Sequence, residues 1–353
     1  MQIATDVERG GARPAASRRT RAIVVGATVV GLAAGIALVF GLGGRSAASA
    51  QSVVATIRVP GHPGWITVGE DAMWLSMNCD IGGPCQTRGF VRIDLATGAV
   101  DRTVALEGEP SFSIRVGDAL IAGYSPNGFG KPSQVLRLDW TTGDILARAS
   151  FPYGSGQLAA GDGQLWLSAF RPDNAGIVQQ FDPVTLRPIG EPLQYSGHYS
   201  NGLAYGGGML WASASVDSQL VRIDPRTGDM AQVTVGRFPV GIAVAGGSVW
   251  VANRESGTVS RVDPTTMTVV GEIETGGNST WIIGAAGSVW VASQDEGTVT
   301  RIDAVTGERI GQPIRIAEPS TTDAAAQALA ASEDSVWVTS LTEDTVSRID
   351  PSR

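Results

Sequence analysis

Two cysteines and two histidines in 353 residues leave few ligands for a Cys/His metal centre. Cys79 and Cys85 bracket a segment with Gly82, Gly83 and Pro84 that can fold back on itself, whereas His62 and His198 lie far apart. In an oxidising compartment this cysteine pair reads as a loop-closing disulfide. A metal pair is the alternative, but it would need ligands that the surrounding sequence does not supply. Basic residues are scarce outside the head of the chain. The first 50 residues hold six arginines against Asp6 and Glu8, so of the net charge of -8 the remainder carries -12. Nucleic-acid affinity rests on Lys and Arg neutralising phosphates, so an acidic body without a basic stripe excludes a nucleic-acid partner.

Charge is missing altogether from Ala22 to Gly43. As a helix this stretch is about 33 Å long, enough to cross a hydrocarbon core of roughly 30 Å. Arg18, Arg19 and Arg21 precede it and only Arg45 follows closely, which predicts a cytoplasmic N-terminus and an external body. The expected organisation is a cytoplasmic tail at 1–21, a transmembrane signal-anchor helix at 22–43, a linker at 44–51 and one domain at 52–353. The localisation that follows is the cell membrane, single-pass, with the C-terminal body outside. Cleavage near Ala50, after the small-x-small triplet Ala48-Ser49-Ala50, is the alternative and would give a secreted protein.

What the body has in abundance is glycine, 38 of the chain's 46 residues, and tryptophan, nine residues, arranged in a repeat. Gly246-Gly247-Ser248-Val249-Trp250-Val251-Ala252-Asn253 leads into Thr258-Val259-Ser260-Arg261-Val262-Asp263, and Gly287-Ser288-Val289-Trp290-Val291-Ala292-Ser293 leads into Thr298-Val299-Thr300-Arg301-Ile302-Asp303. Other copies centre on Trp74, Trp166, Trp211 and Trp337, and the second has Leu120-Ile121-Ala122 at that place, which makes seven. An Asp closes the third strand of every copy: Asp94, Asp139, Asp182, Asp224, Asp263, Asp303 and Asp350, spaced 39 to 47 residues apart. That period suits four short strands and their turns, the unit of a propeller blade. Its runs of β-branched residues alternate with period two between glycine-rich hairpins. The Asp itself reads as a turn residue, since a catalytic carboxylate would not be needed seven times.

The last copy ends at Arg353 without a fourth strand, while 52–75 aligns without a gap to 268–291 and places Val53 to Val59 in that fourth-strand register. The expected fold is therefore all-β, a seven-bladed β-propeller closed by an N-terminal strand and preceded by one N-terminal transmembrane helix. Closure leaves no free sheet edge.

These blocks, an aromatic-Val-x-Asn strand followed by a strand ending in Ile/Val-Asp, resemble the YVTN/NHL-type propeller repeat across all seven copies, with Trp usually replacing Tyr. The resemblance implies architecture; propellers of this group bind, scaffold or catalyse. They are also distantly similar to the streptogramin (virginiamycin B) lyases, whose histidine-based, metal-assisted site has no match here, since the copies from Trp211 to Trp337 contain no histidine.

In the repeat frame, the loops that enter the innermost strands crowd one mouth of the central channel. They bring His62, Ser111, His198, Tyr199, Asn201, Arg237, Asn278 and Asp323 together there, with Trp65 and Trp281 close behind. Aromatic and polar groups converging on a concave mouth make a candidate ligand site. The competing expectation makes the histidines exposed loop residues and packs Trp65 and Trp281 between blades. No catalytic residue and no metal ligand is assigned, and no cofactor is expected. The function expected is a non-enzymatic binding or scaffolding module for a protein, glycan or small molecule, attached to the membrane by its helix. The alternative is a lyase- or lactonase-type enzyme with a divalent metal at the mouth.

Overall fold

The computed structural model describes residues 52–78, 88–126, 131–173, 175–198, 201–321 and 324–353, with Asn78, Ser155 and His198 as backbone only. The expected anchor at 22–43, the Cys79–Cys85 pair, Tyr199, Asp323 and the His198 side chain lie outside the described residues. Among the described residues no helix is long and apolar enough to cross a membrane.

Among the described residues twenty-eight strands form seven four-stranded antiparallel sheets, each running from an inner to an outer strand. Blade 1 is built from His62–Val68, Ala72–Asn78, Gly89–Asp94 and Val100–Ala105. Blades 2 to 6 repeat this plan in order, with inner strands Glu109–Val116, Gly154–Gly161, Leu203–Gly206, Pro239–Ala245 and Ser279–Ala285. Blade 7 takes Leu329–Ala331, Val336–Ser340 and Thr345–Ile349 from the end of the chain and its outer strand, Val53–Arg58, from the start of the body. The pairing runs from Val53 against Ile349 to Arg58 against Thr345. The wheel is seven-bladed and closed by the N-terminal strand, as the repeat register requires.

The tryptophans hold neighbouring blades apart. Trp74, Trp166, Trp211, Trp250 and Trp290 are fully buried, and each lies against the following blade: Trp74 on Leu120, Leu136 and Leu138, and Trp250 on Val289, Val291 and Ile302. Burying an indole of 150–250 Å² contributes about 4–6 kcal/mol by area. Blade 2 lacks this tryptophan, and Ile121 packs on Leu165 and Leu167 while Phe151 and Phe181, 5.9 Å apart, fill the remaining volume.

Six of the blade-ending aspartates sit at the turns between third and fourth strands, and Asp350 sits at the turn that follows the third strand of blade 7. The Asp263 carboxylate accepts from the N–H groups of Thr265 and Thr266 at 2.8 Å, and Asp303 does the same with Val305 and Thr306. Turn donors hold all seven carboxyls below the ordinary aspartate range, led by the following Thr N–H in five, by the Arg226 side chain at Asp224 and by the Ser352 hydroxyl at Asp350. Their role is to fix turns on the ring face opposite the entry loops.

Candidate ligand-binding mouth

The inner strands do not run straight to the channel mouth. Five carry a register break at that end: between Pro63 and Ile66, Pro110 and Ser113, Ser155 and Leu158, Pro239 and Ile242, and Ser279 and Trp281. A bulge bends its strand and re-aims the side chain it carries. Trp65 and Phe112 stand within these breaks and Trp281 at the end of one. The three rings meet in the channel, with Trp65 centred 4.1 Å from both partners and edge-on to Trp281, and Phe112 5.6 Å from Trp281. Edge-to-face geometry sets the positive ring edge against a negative ring face. These tryptophans thus pack across the channel, where the competing expectation had put them between blades.

Small residues on the other side explain why three blades can supply the plug. A Cβ on Gly202 would stand 1.9 Å from the Val240 carbonyl oxygen, and one on Gly241 2.5 Å from that of Thr280. Blades 4, 5 and 6 therefore approach too closely there for side chains. Beneath the rings lies a 190 Å³ cavity lined by Ile66, Ile114, Leu158, Leu203 and Ile282. Above them opens a cavity of 510 Å³ in which Trp65, Phe112, Phe238 and Trp281 face Asn201, Arg254, Gln294 and Gln327.

The polar side of this mouth is tied together before any ligand arrives. Gln294 Nε2 donates to Gln327 Oε1 at 2.6 Å, joining blades 6 and 7. Arg254 Nε donates to Asn278 Oδ1 at 2.5 Å, and Asn278 Nδ2 donates to Asp295 at 2.7 Å. The Arg254 guanidinium lies 6.0 Å from the Phe238 ring centre. Asn278 holds φ at 57°, a left-handed conformation that Asn tolerates better than most residues. Two polar atoms are left over: the Nε1–H of Trp281, only 9% exposed, and Ser111 Oγ are sealed from solvent and have no partner among the described residues. A buried donor without an acceptor costs about 1–3 kcal/mol, a cost that a ligand acceptor can relieve.

The other expected mouth residues take varied places. Asn201 donates to Ser215 Oγ at 3.1 Å and lines the cavity. His62 Nδ1 lies 3.1 Å from Asp344 and 3.3 Å from the Leu341 carbonyl oxygen, so it ties blade 1 to blade 7. Arg237 points to its own blade, donating to the Glu255 carbonyl at 3.2 Å. The backbone of His198 ends the long outer strand of blade 3, opposite Ala175. Sequence reasoning missed Phe112, Phe238, Arg254, Gln294 and Gln327. Arg254 and Gln294 directly follow the Trp-bearing strands, whose far ends emerge beside the entry loops; the repeat frame held that signal.

Comparison with known proteins bears on the half of the chain that supplies the polar side. The sequence profile described as glutamine cyclotransferase matches residues 177–353, half of the chain. The chain belongs to the glutamine cyclotransferase family. The cyclotransferase match spans Asn201, Phe238, Arg254, Asn278, Gln294 and Gln327, but neither Trp65 nor Phe112. No curated protein matches the chain. Among solved structures, virginiamycin B lyase from Staphylococcus aureus superposes with a TM-score of 0.64 at 15% identity, covering 84% of this chain and 98% of that one. BamB from Moraxella catarrhalis superposes at 0.56 and 15% identity, covering 85% and 99%. A chain of a mitotic checkpoint complex reaches 0.69 at 13% identity, covering 94% and 98%. At such identities the likeness is one of fold.

Proposed function

We propose that this propeller is an extracytoplasmic binding module, tethered by residues 22–43, that takes a small ligand or a chain terminus at its aromatic-lined mouth. The observation that carries the reading is the sealed Trp281 Nε1–H, without an acceptor among the described residues, at a cavity whose opposite wall offers amide and guanidinium groups. Such a site favours a ligand with a flat or apolar portion against the rings and hydrogen-bond acceptors toward Trp281 and Arg254. Native mass spectrometry of the protein isolated from its own envelope tests this. A bound species present in the wild type and missing from Trp281→Phe supports it. Its retention in both Trp281→Phe and Arg254→Ala would remove the mouth from consideration. Partition of the full chain with the membrane fraction, and its loss on deleting 22–43, tests the tether.

Membership of the glutamine cyclotransferase family favours a second reading, in which the mouth ligand is a glutaminyl group that is cyclised with release of ammonia. Arg254, Gln294 and Gln327 would then position the reacting amide, with carboxylates such as Asp295 and Glu255 at the rim. Ammonia release from glutaminyl peptides by purified residues 52–353, abolished by Asp295→Asn, would establish turnover and displace the non-enzymatic reading.

A further inference from the structure

Opposite the mouth, the ring carries a groove of 820 Å³ at the seam where blade 7 meets blade 1. Its walls are the hairpin turns that join the first and second strands of both blades, together with Trp337 and Leu95. In the other five blades the two central residues of that turn include a glycine: Gly117, Gly163, Gly207 and Gly208, Gly246 and Gly247, and Gly287. The two blades flanking the seam have Glu70-Asp71 and Glu333-Asp334 there instead, all exposed. Two neighbouring copies thus depart from the repeat in the same way at the same place.

Five carboxylates and two guanidinium groups line the groove, and most of them are engaged. Arg92 holds Asp71 at 2.7 Å, turn N–H and hydroxyl groups hold Asp94, and Arg348 holds Asp334 at 2.9 Å. Arg115 is drawn over the Trp140 ring at 4.5 Å. Glu70 and Glu333 have no ion-pair partner among the described residues. The apolar wall is Val68, Leu95 and Ala331.

A second, independent feature sits in the same groove. In blades 4, 5 and 6 the indole Nε1–H of the strand tryptophan donates to the carbonyl five residues earlier, at the start of that same hairpin: Trp211 to Gly206, Trp250 to Ala245 and Trp290 to Ala285, at 3.1–3.2 Å. Trp74 donates to the carbonyl of Trp140 at 3.0 Å, the residue that follows the turn Asp of the next blade. Trp337 lines the groove and is 5% exposed, and its Nε1–H has no acceptor among the described residues. Two other seams are shut: Trp140 fills that between blades 1 and 2, and Gly246 lies against Ala304 between blades 5 and 6, where even a Cβ would come within 2.0 Å of its carbonyl oxygen.

We infer that this seam groove binds a lysine side chain of a peptide segment. The ammonium sits between Glu70 and Glu333, the methylenes lie along Val68, Leu95 and Ala331, and the neighbouring peptide carbonyl accepts from Trp337 Nε1–H. A compact ammonium suits two carboxylates that are not arranged as a bidentate fork. A buried indole donor needs a neutral or anionic acceptor, which the peptide carbonyl supplies without cancelling the cation. This site is separate from the mouth, and neither depends on the other.

The test uses residues 52–353, within which all seven blade cores lie. Nα-acetyl-lysine N-methylamide is titrated while the Trp337 indole N–H resonance, assigned by its loss in Trp337→Phe, is followed by NMR. A saturable shift of that resonance is expected, together with at least a tenfold loss of affinity in Glu70→Gln/Glu333→Gln, whose exposed side chains leave the melting temperature unchanged. The norleucine analogue should leave the resonance in place. So should 1,5-diaminopentane, which offers the ammonium without the carbonyl and separates a free amine from a peptide lysine. Failure of the lysine probe to move the resonance overturns the inference. Equal affinity in the double variant, or an equal response to either control ligand, does so too.

Discussion

Deleting residues 1–58 removes the outer strand of blade 7 and opens the ring. The strand pairs at five positions from Val53 to Arg58. At about one net hydrogen bond per pair and 0.5–1.5 kcal/mol each, the ladder contributes roughly 2.5–7.5 kcal/mol. Val53 and Ile57 pack against the blade 7 and blade 1 cores and add on the order of 1 kcal/mol each. A loss of roughly 5–9 kcal/mol is most of the 5–15 kcal/mol by which a folded domain is typically stable. The exposed edge, Thr345–Ile349, is largely buried in the closed ring and becomes a template for pairing between molecules. Compared with residues 52–353, the fragment 59–353 should therefore unfold at much lower denaturant concentration and run as an oligomer in size-exclusion chromatography. A peptide spanning residues 52–59 added in trans should restore part of the lost stability. A monomeric fragment 59–353 with an unchanged denaturation midpoint would refute the idea that this strand closes the wheel.

Trp250→Ala leaves a cavity between blades 5 and 6 and removes the indole donor to the Ala245 carbonyl; chemical denaturation should show a loss of about 3–5 kcal/mol, against much less for Trp250→Phe. The blade-ending aspartates have folded-state pKa values below the unfolded one, so their stabilisation is complete above the ordinary aspartate range and is lost as pH falls through the lowered values. Melting temperature should consequently drop on acidification from about pH 4 downward, with Asp263→Asn flattening part of the drop. Asn278→Gly keeps the left-handed backbone but breaks the bridge between Arg254 and Asp295, so thermal stability should hold while mouth-ligand affinity falls. Asn278→Ala should add a backbone penalty of about 1 kcal/mol, read in the same melts.

Much of the fold was legible because each blade repeats the same local chemistry. The seven turn aspartates and the strand tryptophans mark one blade each, and the ungapped alignment of 52–75 with 268–291 announced the strand that blade 7 borrows. The mouth was legible only in outline. Repeat register identifies which loops share a ring face; in the structure Trp65, Asn201 and Trp281 line the cavity and Asn278 lies beside it. It did not show that bulges would turn Trp65, Phe112 and Trp281 into one cluster, because a bulge depends on how two strands pair. Nor did it bring Arg254 of blade 5 to Asn278 of blade 6.

The sequence alone thus determined the blade count, the order of strands and the closure of the ring, since these follow from patterns within about 45 residues and from one register match. Tertiary structure alone decided what the ring presents. Which side chains fill the channel depends on how closely Gly202 and Gly241 let neighbouring backbones approach. Whether an indole N–H finds an acceptor depends on the blade beside it, which is why, among the described residues, Trp74 is satisfied and Trp281 and Trp337 are not. Contacts between blades join residues far apart in the chain, and no local pattern encodes the distance between them.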